Sequence, residues 1–113
     1  MKINGSSLWS PSDEIKKNSK LESFCKYLDK KKILKYNQNF KYLWKWSVDN
    51  PEAFWSEVWD FTKIKGFKGK KIIKKNKIFY KNIFFPDSKL NYAENLLVKK
   101  NDDIALNFFS ESG

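Results

Sequence analysis

No stretch of this chain longer than ten residues is free of charge, and that limit constrains the fold more than any other feature of the sequence. The ten are residues 3–12, INGSSLWSPS, and half of them are polar. A bilayer-spanning helix needs about 20 consecutive, mostly apolar residues, so no membrane span is expected. The opening MKINGSSLW lacks an apolar leader core, so no secretory signal is expected either. Burial must come from short amphipathic pieces. At 113 residues they build at most one modest domain. The material for burial is aromatic: five Trp, five Tyr and ten Phe, too many for a disordered tail.

Net charge is +10, and every basic residue is lysine. Base readout and bidentate phosphate gripping favour the planar guanidinium, which argues against nucleic acid as the main partner. Lysines still bind polyanions as point charges, so a lysine-rich module binding RNA or an anionic surface is the alternative function. Cys25 is the only cysteine, which excludes an intrachain disulfide and fits a reducing, cytoplasmic setting. Its apolar helix position suits a small buried hydrophobe rather than a nucleophile. The chain has no histidine, which removes His-dependent triads and His-type zinc sites from it.

The periodicity predicts a mainly α chain with short strands. Residues 8–17, LWSPSDEIKK, read as a short helix entry, with Ser10 as cap, Pro11 in the first helical position, and Asp13 and Glu14 in the first turn. Residues 19–32 give the best amphipathic helix. Ser19 and Glu22 form a capping-box pattern, and Leu21, Phe24, Cys25 and Leu28 share one face. A third helix is predicted over 38–47 from Phe40, Leu43 and Trp44. A fourth follows, capped by Asn50, with Pro51 first and Glu52 in its first turn. On that helix Phe54, Val58 and Phe61 make a stripe with Trp55 and Trp59 beside it, while Ser56, Glu57 and Asp60 are expected to face away.

Residues 63–81 change character: nine of nineteen are lysine and none is acidic. KKII and KIFY, separated by KKN, read as a hairpin or as two extended segments. Residues 84–97, FFPDSKLNYAENLL, read as an aromatic anchor, a turn at Pro86-Asp87, and a short helix capped by Asn91 with Glu94 three residues on. Residues 103–109, DIALNFF, read as a strand and SESG as a turn. A strand left without a returning partner would expose a sheet edge.

Catalytic constellations are missing from this pattern. GFKG at 66–69 lacks the spacing of a phosphate loop. Asp13/Glu14 and Asp102/Asp103 are sequence neighbours whose side chains diverge, and they suit a helix start and a turn. Ser110 and Ser112 flank Glu111 with no base nearby in sequence. In the basic run, Phe67, Phe79 and Tyr80 interleave with lysine as in single-strand binders, but a solvated, loop-rich face is the favoured reading of the lysines.

Four blocks carry a family resemblance: LWSPSDEI, SKLESF, WSVDNPEAFWSEVWDF and FFPDSKLNYAENLL. In this order and spacing, over residues 8–113, they resemble the amino end of acetoacetate–CoA ligases, a region shared with acetyl-CoA synthetases. The last two blocks are the most specific, and 63–81 matches poorly. The resemblance implies an N-terminal segment, residues 1–100, that wraps a larger α/β adenylate-forming domain whose first strand and turn would be 101–113. It implies a parent that uses ATP, Mg and CoA, with its phosphate loop and catalytic lysine downstream. No catalytic, cofactor or metal residue is carried over, and the chain alone is expected to be inactive. An acetate- or propionate–CoA ligase is the alternative parent. The expected docking residues, which would face the remainder of the ligase, are Trp55, Trp59, Phe84, Phe85, Leu90, Asn91, Tyr92 and Glu94.

Overall fold

Helix starts in this chain are set by short polar side chains. Ser12, Ser19, Asn39 and Asn91 each accept a backbone N–H from the first turn of the helix that follows, which satisfies donors that otherwise have no partner. The computed structural model describes residues 9–104 and 106–111. Its helices are α1 (Asp13–Lys17), α2 (Lys20–Lys30), α3 (Phe40–Asp49), α4 (Pro51–Phe61) and α5 (Tyr92–Leu96). Two short strands, β1 (Ile73–Lys74) and β2 (Ile83–Phe84), lie between α4 and α5, with a 3-10 turn at Phe79–Lys81. The mainly α expectation holds.

Two caps differ from the sequence expectation. The first helix is capped by Ser12, whose hydroxyl accepts from Ile15 N at 3.3 Å, not by Ser10. A cap at Ser12 puts Asp13 and Glu14 directly in the first turn, where the positive end of the helix dipole favours them; Pro11 then precedes the cap. Leu8, the expected first residue of that entry, lies outside the described residues, as do Ser112 and Gly113 of the expected SESG turn. Asn50 stands at the α3–α4 junction, but its side chain caps no donor of α4. Its Nδ2 donates to Trp46 O at 3.2 Å instead, sealing the carboxyl end of α3, while Pro51 opens α4 with one fewer donor to satisfy.

α4 is the central element. One side meets α2 and α3 around Phe24, Leu28 and Leu43, with Tyr27, Phe54, Val58 and Phe61 packed on them. Phe24 meets Phe54 edge-on at 6.0 Å and Phe61 at 5.1 Å, within the spacing at which aromatic pairs attract. Glu57 does not face away from this core. Its Oε2 accepts from Tyr27 Oη at 2.8 Å and from Lys31 Nζ at 2.6 Å, tying α4 to α2. Ser56 and Asp60 also have an internal partner: Lys68 Nζ lies 3.0 Å from Ser56 Oγ and 2.8 Å from Asp60 Oδ1, which draws the lysine-rich segment onto α4.

The other side of α4 holds the two-stranded antiparallel ladder, with Ile73 opposite Phe84 and Lys74 opposite Ile83. The hairpin is therefore real, but KIFY is not its second strand. Phe79–Lys81 turns, and the pairing passes to Ile83–Phe84. That register sets Trp59 against Phe85 at 4.9 Å and Trp55 against Phe84 at 5.4 Å.

Five described residues are buried: Phe24, Leu28, Leu43, Trp59 and Ile73. The chain exposes 10581 Å², where a compact chain of this length exposes about 6,500 Å². Its radius of gyration is 19.2 Å, against about 13 Å for a compact one. The strand expected over 103–109 is not formed among its described residues, 103, 104 and 106–109. A strand is held by ladder hydrogen bonds to a neighbour, and these residues have no ladder partner among the described ones; Leu106, Phe108 and Phe109 stand in solvent.

Candidate functional site

Residues 84–97 are fastened to residues 65–72 at successive points. Phe85 N donates to Ile72 O at 2.7 Å, ending the hairpin. Phe85 then takes a left-handed φ of 48°, a conformation that costs a residue with a Cβ about 1–2 kcal/mol. The following turn closes through Ser88 N to Phe85 O at 3.0 Å, with Pro86 and Asp87 at its centre as turn chemistry favours. Lys89 and Phe67 exchange two backbone bonds, of 2.9 and 2.7 Å.

That close approach depends on glycine. At Gly66, φ is 147°, and a Cβ would meet Lys89 O at 2.6 Å. At Gly69, φ is 82°, and a Cβ would meet Asp87 Cβ at 2.9 Å. The last fastening is Asn95. Its Oδ1 accepts from Lys65 N at 2.7 Å, and its Nδ2 donates to Lys65 O at 2.8 Å and to Asn91 O at 2.9 Å. The side-chain amide thus mimics a strand neighbour across thirty positions of sequence.

The eight residues expected to dock fall into four pairs. Trp59 is 6% exposed and packs at a tilt against half-buried Phe85, so both rings are already spent within the chain. Trp55 and Phe84 meet each other at the edge and keep exposed faces. Leu90 and Tyr92 stand out around α5, Tyr92 with 75% of its surface in solvent, and Leu96 and Leu97 extend the same apolar area. Asn91 caps α5 by accepting from Glu94 N at 3.2 Å. The carboxylate of Glu94 makes no return bond among the described residues, so the capping box is half made. Asn95, Gly66 and Gly69 escape sequence reasoning. The glycines interrupt the helical pattern, which marks a break but not a crossing partner, and Asn95 looks like an ordinary polar helix residue.

Ionisable groups here serve structure. Tyr36 Oη donates to Glu22, and that bond, with Lys26 assisting, holds the carboxyl below its usual range against the opposing effect of burial. Burial pushes the half-buried Cys25 thiol up, with Glu22 adding to it, which weakens it as a nucleophile. Among the described residues, no three carboxylate, cysteine or histidine side chains converge to hold a metal ion, and no helix is long and apolar enough to cross a membrane.

What the fold presents is a helical layer with exposed apolar side chains at Trp55, Phe84, Leu90 and Tyr92. Residues 40–96, from the start of α3 to the end of α5, match the family model described as acetyl-coenzyme A synthetase N-terminus. The chain belongs to that family. Its relatives include the acetoacetyl-coenzyme A synthetase of Rhizobium meliloti, 33% identical over 104 residues, covering 92% of this chain. They also include the acetoacetyl-CoA synthetases of Danio rerio, 34% identical over 93% of the chain, and Xenopus tropicalis, 37% identical over 88%. The chain spans only 15–16% of the length of these relatives. No solved structure matches it.

Proposed function

We propose that this chain is the docking segment of an AMP-forming acetoacetate–CoA ligase, in which a larger adenylate-forming domain binds ATP, Mg and CoA and carries out the chemistry. The observation that carries this reading is the match to acetoacetyl-CoA synthetases over 88–93% of the chain but only 15–16% of their length. The surplus of exposed apolar surface supports it, because permanent interfaces typically bury 2,000–5,000 Å² in total. Phe84, Leu90 and Tyr92 would be covered by the large domain, contributing about 1–2 kcal/mol each given how much of each is now exposed. Residues 101–113 would become its first strand and turn once a neighbouring strand supplies the ladder. The unpaired Cys25 suits a reducing compartment, so we assign the ligase to the cytoplasm.

The test is complementation. The Rhizobium meliloti enzyme, shortened by the segment that this chain matches, is mixed with the 113-residue chain. ATP–pyrophosphate exchange is followed with acetoacetate, acetate and propionate in turn. The chain alone is expected to be inactive, and the mixture is expected to form a complex and exchange fastest with acetoacetate. Exchange by the chain alone, or failure of the two parts to associate, would overturn the proposal. Association with a likewise shortened acetyl-CoA synthetase, and not with the acetoacetyl-CoA one, would reassign the parent.

A further inference from the structure

Phe79 and Tyr80 belong to none of the fastenings above. They occupy the 3-10 turn between β1 and β2 with 86% and 79% of their surfaces exposed. The turn is tightly built. Lys81 N donates to Ile78 O at 2.9 Å, and Asn82 N to Phe79 O at 3.1 Å. Asn82 Oδ1 accepts from Asn76 N at 2.7 Å, and Asn76 Oδ1 accepts from Ile78 N at 2.9 Å. The loop therefore uses four hydrogen bonds to hold Ile78, Phe79 and Tyr80 outward.

The surrounding charge has one sign. Lys70, Lys71, Lys74, Lys75, Lys77 and Lys81 are all exposed. Among the described residues none of the six forms an ion pair, whereas Lys68, nearer the base of the excursion, is held by Asp60. No acidic residue occurs between Phe61 and Pro86.

We propose that this hairpin tip is a contact site for an anionic lipid surface. Phe79 and Ile78 enter the boundary between headgroups and acyl chains, Tyr80 rests there with its hydroxyl in the polar layer, and the lysines lie over phosphate and carboxylate headgroups. Charge complementarity makes the partner anionic, and the outward apolar side chains require one with an apolar interior beneath a polar layer. A single-stranded nucleic acid satisfies the first condition, but it calls for a groove along which successive bases stack. Tyr80, 79% exposed, is outside the hollow that Phe79 lines with Trp55 and Phe84, and the cations are all lysine, without the planar guanidinium that grips phosphate in two places. One shallow insertion beside a polybasic cluster gives reversible attachment. The proposal uses none of the eight residues of the docking face, so it stands or falls apart from the ligase reading.

The test sediments the full 113-residue chain with vesicles of phosphatidylcholine alone, or of phosphatidylcholine and phosphatidylserine in equal parts. Binding is expected to the mixed vesicles only and to be released by salt. Phe79→Ala should lower the partition coefficient roughly tenfold. The triple change Lys75→Ser, Lys77→Ser, Lys81→Ser should lower it roughly a hundredfold or more at low salt. All four side chains are exposed, so circular dichroism should not change. Three results would overturn the assignment: no binding to mixed vesicles at low salt, binding that Phe79→Ala leaves unchanged, or capture of a single-stranded oligonucleotide with vesicles left unbound.

Discussion

Replacing Phe85 with glycine should destabilise this chain less than replacing it with alanine, although glycine normally ranks below alanine in ordered structure. Both changes remove the ring from Trp59, 4.9 Å away. For a half-buried phenylalanine that loss is about 2 kcal/mol, and it is common to the two variants. What separates them is the backbone. Position 85 sits at φ 48°, which costs a residue with a Cβ about 1–2 kcal/mol and glycine almost nothing. Glycine gives up about 0.4–1 kcal/mol through its greater freedom in the unfolded chain. The balance favours Phe85→Gly by about 1 kcal/mol, or about 4–8 °C in melting temperature for a domain of this size. Urea and thermal unfolding followed by indole emission measure it directly, because Trp59 reports on the contact that both variants lose. If Phe85→Ala proves as stable as Phe85→Gly or more so, the left-handed conformation is not intrinsic to the fold, and the account of this turn is wrong.

The same scans should show Gly66→Ala costing about 1–3 kcal/mol, because the new Cβ would collide with Lys89 O in a conformation that side chains rarely adopt; little change would mean that 66 and 89 do not cross as closely as described. The α2–α4 tie should weaken in alkali. The Lys31 ammonium is pushed up to about 12 by Glu57 first and Tyr27 second, from an ordinary 10.5, so its contribution is complete below 10.5 and fades as pH rises towards 12. Tyr27 is also raised, by burial and then by Glu57, so its unfolded form ionises first and the loss has the same sign. Urea midpoints measured across that range should fall for the natural sequence and fall less for Glu57→Gln; parallel slopes would refute the coupling.

Helices were readable because their signals are local. Ser19 with Glu22, and Leu21, Phe24, Cys25 and Leu28 on one face, fix α2 without knowledge of anything distant. The capped helix after Asn91 is legible for the same reason. Apart from the shift of the first cap from Ser10 to Ser12, what failed depends on a second segment. Glu57 looks like a solvent residue until Tyr27 and Lys31 arrive beside it. The second strand falls at Ile83–Phe84 rather than KIFY because the Asn76–Asn82 tie turns the chain at Phe79, and one asparagine caps much like another in sequence. The strand at 103–109 carries the right alternation, but pattern alone does not supply the neighbour that a ladder requires. On the candidate face, the aromatic content of 84–97 announced an anchor. Which rings were already committed inside the chain became visible only when Trp59 and Phe85 were placed together.

Asn95 grips Lys65, and Phe67 pairs with Lys89, so the two ends of a long excursion are fastened to each other at its root. Whatever happens to the length of the intervening chain, α4 and α5 keep their spacing, because that spacing is fixed at the root and not by the span between. Adding residues beyond the knot changes the closure entropy only logarithmically. The lysine-rich span can therefore be lengthened, shortened or recoloured with little effect on the helices it joins.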